Sequence, residues 1–251
     1  MSLTFCLISA PIVFLFSGLL AMAGIGAAFL FVPFFYYLGV PLSEAAPAAL
    51  LLNAISLSFA TVNYWRAELI DWRVALPVAI TAVILAPVGA RLTPHVDKTT
   101  LLVLFAVFLA FAGAMMLFYQ AKVRTQIAGS KKVWLVGAGV GGSAGFIGGL
   151  LGVGGGNIIV PALNWLGLDA KRAAATSAVA VVFSSLSGFL GHATVGKMDA
   201  TFLGILGLMA AGGSLAGSQL MKTKLSSNQL KTIIGVLLWV IAAKMFFDVF
   251  K

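Results

Sequence analysis

The sequence predicts an all-α fold: a polytopic transmembrane helical bundle made of two inverted repeats, each opening on a broken or re-entrant helix. Three observations predict it. First, 61% of the 251 residues are hydrophobic and only 9% are charged, where a soluble domain is about 45–50% apolar and about 25% charged. The mean hydropathy is +1.08. So few charges cannot cover the surface of a water-soluble globule of this size, which excludes a soluble enzyme and a disordered chain. Second, the apolar residues form long unbroken runs, not the alternating ten-residue segments of a membrane β-barrel. Third, the second half of the chain repeats the first at a constant offset.

In chain order the runs lie near 5–38, 45–64, 74–92, 100–119, 133–167, 173–193, 201–220 and 232–250. A spanning helix takes about 20 residues, and six of the runs fit. The first and fifth are too long for one straight span and too short for two full spans with a loop. Both contain glycine clusters and a proline, so each is expected to break inside the protein. The N-terminal run lacks the positive n-region of a signal peptide and reads as the first membrane segment. The polar linker 121–132 carries Lys122, Arg124, Lys131 and Lys132. It separates a first transmembrane repeat, 1–120, from a second, 133–251.

An ungapped offset of 128 relates the two. It pairs Gly24 with Gly152, Gly26 with Gly154, Pro33 with Pro161, Ser56 with Ser184, Asp71 with Asp199 and Gly89 with Gly217. Orientation follows from the cations. If each long run returns to the side it entered, only Arg91, Lys98, Lys197, Lys244 and Lys251 of the 16 Lys and Arg lie opposite the linker. That is the positive-inside pattern with the linker cytoplasmic. Each half then crosses an odd number of times, which inverts the second relative to the first. Inverted repeats with broken helices at the midplane recur among transporters.

The strongest motif is Gly148-Gly149-Leu150-Leu151-Gly152-Val153-Gly154-Gly155-Gly156-Asn157 with Pro161 after it. Its first-half counterpart is Gly24-Ile25-Gly26-Ala27-Ala28 with Pro33. Consecutive glycines let the chain unwind at membrane depth, where backbone must be buried in protein or line a cavity. A helix restarting after the break turns free N–H groups and its positive dipole end toward it, which suits an anion. The bland reading is close helix packing through small residues.

A second constellation follows: Ser177, Ser184, Ser187 and Gly191 fall on one helical face, with Thr176 beside them, and Asn53, Ser56, Ala60 and Asn63 make the related face of the first half. Such hydroxyls and amides point inward, either to bond neighbouring helices or to replace an anion's water. The expected binding residues are therefore Gly154, Gly155, Gly156, Asn157, Thr176 and Ser177, then Ser184, Gly26 and Asn53.

The remaining polar residues read as structural. Asp71 and Asp199 precede apolar runs and suit helix N-caps. His192 sits near a helix end, and Lys244 is placed to snorkel to the interface. Trp65, Trp72 and Trp134 stand at run ends, as an aromatic belt requires. One cysteine and two histidines make no metal motif, so no metal and no cofactor is expected. The basic residues form no stripe for nucleic acid. The partners expected are a small anionic substrate and the lipid bilayer. No pattern sets an oligomeric state.

These residues resemble the TauE/SafE family of sulfite and organosulfonate exporters, also called the toluene-sulfonate uptake permease family. The resemblance rests on chain length, the duplication, and GGLLGVGGGNIIVPAL at 148–163 followed by Ala173-Ala174-Ala175-Thr176-Ser177. The first half departs from the motif, with Ala27 and Ala28 in place of glycines and Phe29 where the second half has Asn157. The resemblance implies transport of small sulfur-containing anions across a bacterial plasma membrane, by a protein that is not an enzyme. Family members differ in substrate and direction. A potential negative inside favours anion exit by about 2.3 kcal/mol per charge per 100 mV, which favours export. An anion channel and an uptake permease for another small anion are the alternatives.

Overall fold

The computed structural model describes residues 3–118, 130–192, 200–220 and 227–249. They form ten α-helices: α1 (Leu3–Met22), α2 (Ala28–Tyr37), α3 (Leu42–Arg66), α4 (Trp72–Leu92), α5 (Lys98–Phe118), α6 (Ser130–Leu151), α7 (Gly156–Trp165), α8 (Ala170–Gly191), α9 (Ala200–Leu220) and α10 (Ser227–Val249). A short 3-10 turn, Thr93–His95, follows α4. Among the described residues, six stretches are long and apolar enough to cross a membrane: Leu42–Arg66, Trp72–His95, Lys98–Phe118, Lys131–Leu151, Ala170–Gly191 and Ala200–Leu220. The protein is therefore an all-helical, multi-pass membrane protein. Residues 121–129 of the expected linker, and Lys197 and Asp199, lie outside the described residues, while 130–132 open α6.

Both over-long runs break. The first divides into α1 and the ten-residue α2, the second into α6 and the ten-residue α7. Each of the two longer helices ends on a glycine in the left-handed region, Gly24 (φ 66°) and Gly152 (φ 74°). This is the Schellman cap, in which a six-residue bond ties the chain back onto the last turn. Ile25 N–H donates to Leu20 O at 3.4 Å, and Val153 N–H to Gly148 O at 2.9 Å. A side chain at either glycine would strain the turn. α4 starts on Asp71, whose carboxylate accepts from Arg73 N–H, and α8 on Asp169, which accepts from Lys171 and Arg172 N–H.

Packing interlocks the two halves of the chain. α1 lies along α9 so closely that a Cβ on Gly213 would meet the Phe14 carbonyl, and one on Gly217 the Gly18 carbonyl. α6 lies along α4 in the same way, with Gly145 against Ala82 and Gly149 against Ala86. In both pairs the two numbers rise together, so the helices run parallel. α3 and α8 cross at the centre and run antiparallel, with Asn53 beside Ser185 and Gly188 beside Leu50. α5 packs on α10. The exposed Trp65, Trp72 and Trp134 stand at helix ends.

The end of α3 carries one L-residue in the left-handed region, Glu68 at φ 56°. Leu69 N–H there donates to Tyr64 O at 3.1 Å and Glu68 N–H to Trp65 O at 3.0 Å, so Glu68 holds the position that glycine holds after α1 and α6. Left-handed backbone costs an L-residue about 1–2 kcal/mol, partly offset by about 0.4–1 kcal/mol of glycine's unfolded-state entropy. Glu68→Gly is expected to stabilise the fold by about 0.5–1 kcal/mol, read as a raised thermal-unfolding midpoint in detergent.

Candidate functional site

The two breaks meet. A Cβ on Gly156 would run into the carbonyl oxygen of Ile25. Each break is also seated on the helix that follows the other break. Gly24 abuts Ala174 on α8, and Gly152 abuts Ala46 on α3; both members of this pair of contacts differ by the offset of 128. Gly26 and Gly154 both abut the Asn53 side chain, and Gly154 also faces Ser185 at 2.7 Å from a Cβ position.

Asn53 is fully buried at this junction. Its Oδ1 accepts from the N–H groups of Ala27 at 2.7 Å and Ala28 at 3.3 Å, and its Nδ2 donates to Ser185 Oγ at 2.9 Å. α2 starts on Ala27 with no side-chain cap of its own. Asn53 supplies that cap from α3, meeting N–H groups that a helix start leaves open. Two of the open N–H groups expected at the first break are therefore already taken.

The second break is different. α7 starts on Gly155 in the left-handed region (φ 79°), with no side-chain cap bond. Gly156 and Asn157 follow in its first turn. The Asn157 side chain is 4% exposed, and neither its Oδ1 nor its Nδ2 has a hydrogen-bond partner. The Ser177 hydroxyl on α8 is also buried without a partner. Ser177 lies on the α8 face between Ala174, which touches Gly24, and Val181, which lies against Gly154.

The other expected residues divide. Ser184 Oγ donates to Gly154 O at 3.0 Å, which fixes the break. Thr176 Oγ1 accepts from Asp71 N–H at 3.0 Å, at the start of α4. Ser187 donates to Val83 O, and Gly191 packs on Pro87, so this end of the α8 face meets α4. In the first half, Asn63 donates to Ser218 at 2.7 Å and Ser56 O accepts from Ser214, so these positions face α9. Two residues at the breaks are not among the expected binding residues, Ser185 and Tyr64. Ser185 falls on the polar side of α8 and was within reach of the periodicity argument. The role of Tyr64 has no sequence signal.

Two substitutions separate the two asparagines. Asn53→Leu strands two N–H groups and Ser185, at about 1–3 kcal/mol for each buried group left unmet. Asn157→Leu removes two polar atoms that have no partner, so its expected effect on the unfolding midpoint is nil or an increase. Thermal unfolding of the two purified variants tests the difference, and equal losses would contradict this description of the breaks.

Comparison with known proteins agrees with the geometry. The family described as Sulfite exporter TauE/SafE matches residues 9–245. A probable membrane transporter protein of Methanocaldococcus jannaschii is 27% identical over 185 residues, covering 69% of this chain and 67% of that protein. The family match spans the broken helices, the crossing pair α3 and α8 and most of α10, and by it the chain belongs to the TauE/SafE family of membrane transporters.

Proposed function

We propose that the protein is a carrier, and not an enzyme, that moves small sulfur-containing oxyanions outward across a bacterial inner membrane. Its substrate class is sulfite or organosulfonates such as sulfoacetate. The binding site is the junction of the two breaks: Gly154, Gly155, Gly156 and Asn157 with Thr176, Ser177 and Ser184, walled by Gly26 and Asn53. Its two repeats, 1–120 and 133–251, are inverted about this junction. The antiparallel crossing of α3 and α8 supports that symmetry.

The observation that carries the reading is Asn157. A buried amide without a partner costs about 1–3 kcal/mol, and it stands in the first turn of a helix whose dipole end favours negative charge. Its Nδ2, the first N–H groups of α7 and the Ser177 hydroxyl are donors of the kind an oxyanion needs when it leaves water. Thr176 and Ser184 accept or donate at the margins and hold the backbone. Outward movement of an anion is assisted by a potential negative inside, by about 2.3 kcal/mol per charge per 100 mV.

The test is flux of sulfite and a small panel of sulfonates in liposomes containing only this protein, with and without an imposed potential. Saturable flux that accelerates outward under an inside-negative potential is expected. Flux that does not saturate identifies a channel, and no flux with folded protein overturns the reading. Asn157→Leu should lower the flux at least tenfold while leaving the unfolding midpoint unchanged or raised. Gly155→Leu, which places a side chain at φ 79° with its Cβ 2.5 Å from Ala144 O, should abolish flux in a chain that still inserts.

A further inference from the structure

The last turn before each break carries a buried carbonyl that a side chain from another helix bonds. Tyr64, 1% exposed near the end of α3, donates its hydroxyl to Ala21 O. His192, 7% exposed at the end of α8, bonds Gly149 O through Nε2 at 3.0 Å. A carbonyl only accepts, so His192 carries its hydrogen on Nε2. The positions correspond twice over. Tyr64 and His192 differ by the offset of 128, and so do Ala21 and Gly149. Neither residue pair is identical, yet the same bond is made at the same place in both halves.

These carbonyls sit where a bond matters. Ala21 and Gly149 are one residue past Leu20 and Gly148, the carbonyls that close the two Schellman caps. Carbonyls in a helix's last turn lack intrahelical partners, and at membrane depth no water supplies one. At the first break the Ala21 carbonyl also receives Gly24 N–H at 2.9 Å. At the second break Thr93 Oγ1 assists from outside by donating to Leu150 O at 2.9 Å. Each donor belongs to the helix whose middle lines the breaks, so each bond sets the distance between an unwound segment and a polar helix face.

We propose that Tyr64 and His192 are paired positioning residues: each anchors the pre-break helix of its half to the end of α3 or α8, and together they hold the two unwound segments in binding register. The transport consequence rests on the functional reading above; the anchoring itself does not.

The experiment uses the full chain in liposomes and two readouts. Tyr64→Phe and His192→Phe remove the donor and keep the ring. His192→Gln keeps a donor of similar reach. The first readout is amide hydrogen exchange. Tyr64→Phe is expected to speed exchange at least tenfold at residues 23–27, His192→Phe at 152–155, and His192→Gln to restore the second break toward the parent rate. Exchange that is unchanged at the breaks in both Phe variants, or raised evenly through the chain, overturns the anchors. The second readout is sulfite flux. The Phe variants are expected to raise the half-saturating concentration at least fivefold with the maximal rate changed less than twofold, and His192→Gln to reverse this. Faster exchange with an unchanged half-saturating concentration overturns the positioning role. If the parent protein moves no anion, the functional reading fails and the exchange rates alone decide the anchors.

Discussion

Unwound backbone inside a bilayer has no solvent to bond, so every N–H and C=O in a helix break must find its partner within the protein. The structure around the two breaks follows from that requirement. Leu20 O and Gly148 O are met by the chain folding back on itself. Ala21 O and Gly149 O are met by Tyr64 and His192. Leu150 O is met by Thr93, Gly154 O by Ser184, and the N–H groups of Ala27 and Ala28 by Asn53. These donors and acceptors come from α3, α4 with its 3-10 extension, and α8, which explains why these elements converge on the breaks. Beside these pairings, the Asn157 side chain at the second break is buried with both of its polar atoms unpartnered, and so is the Ser177 hydroxyl.

Close approach of the supporting helices has its own physical cause. Lipid tails are as apolar as leucine, so helices in a membrane associate through packing and hydrogen bonds rather than through exclusion of water. The glycine rows of α6 and α9 let their backbones lie against α4 and α1. Because α1 lies on α9 and α6 on α4, each broken helix is held by the other half of the chain. The first half of the chain alone would leave α1 without the surface of α9 that fits it. The crossing of α3 and α8 adds the Asn53–Ser185 bond at the point where the two breaks touch.

Much of this was legible in the residues. Run length against the thickness of a bilayer located the helices, and glycine clusters in the two over-long runs located the breaks to within a few residues. Asp71 announced an N-cap because a carboxylate before an apolar run has one obvious use. Asp169 carries the same signal, although Pro41 stands at the position related to it by the offset of 128. Partners were less legible than positions. Periodicity put Asn53, Ser56 and Asn63 on one face, but that face is shared between the break and α9. The Tyr64 and His192 bonds were invisible for a different reason. A repeat search scores identity, and a tyrosine and a histidine that perform the same bond score nothing.

The two halves differ in a way that bears on binding. Where the first half has Phe29, Ala49 and Leu57, the second has Asn157, Ser177 and Ser185. All three exchanges replace a hydrocarbon side chain with a polar one near the second break, while Val181 in the second half stands where the first has Asn53. The two breaks therefore differ: the first has its helix start capped by Asn53, and the second has the unpartnered Asn157 amide and Ser177 hydroxyl. None of the side chains identified at the junction is a lysine or arginine. A fixed buried cation would face a large desolvation penalty when empty and grip an anion strongly when full. Amide and hydroxyl dipoles would lower both terms, which is the balance that the proposed carrier requires of a site that must both take up and release an anion.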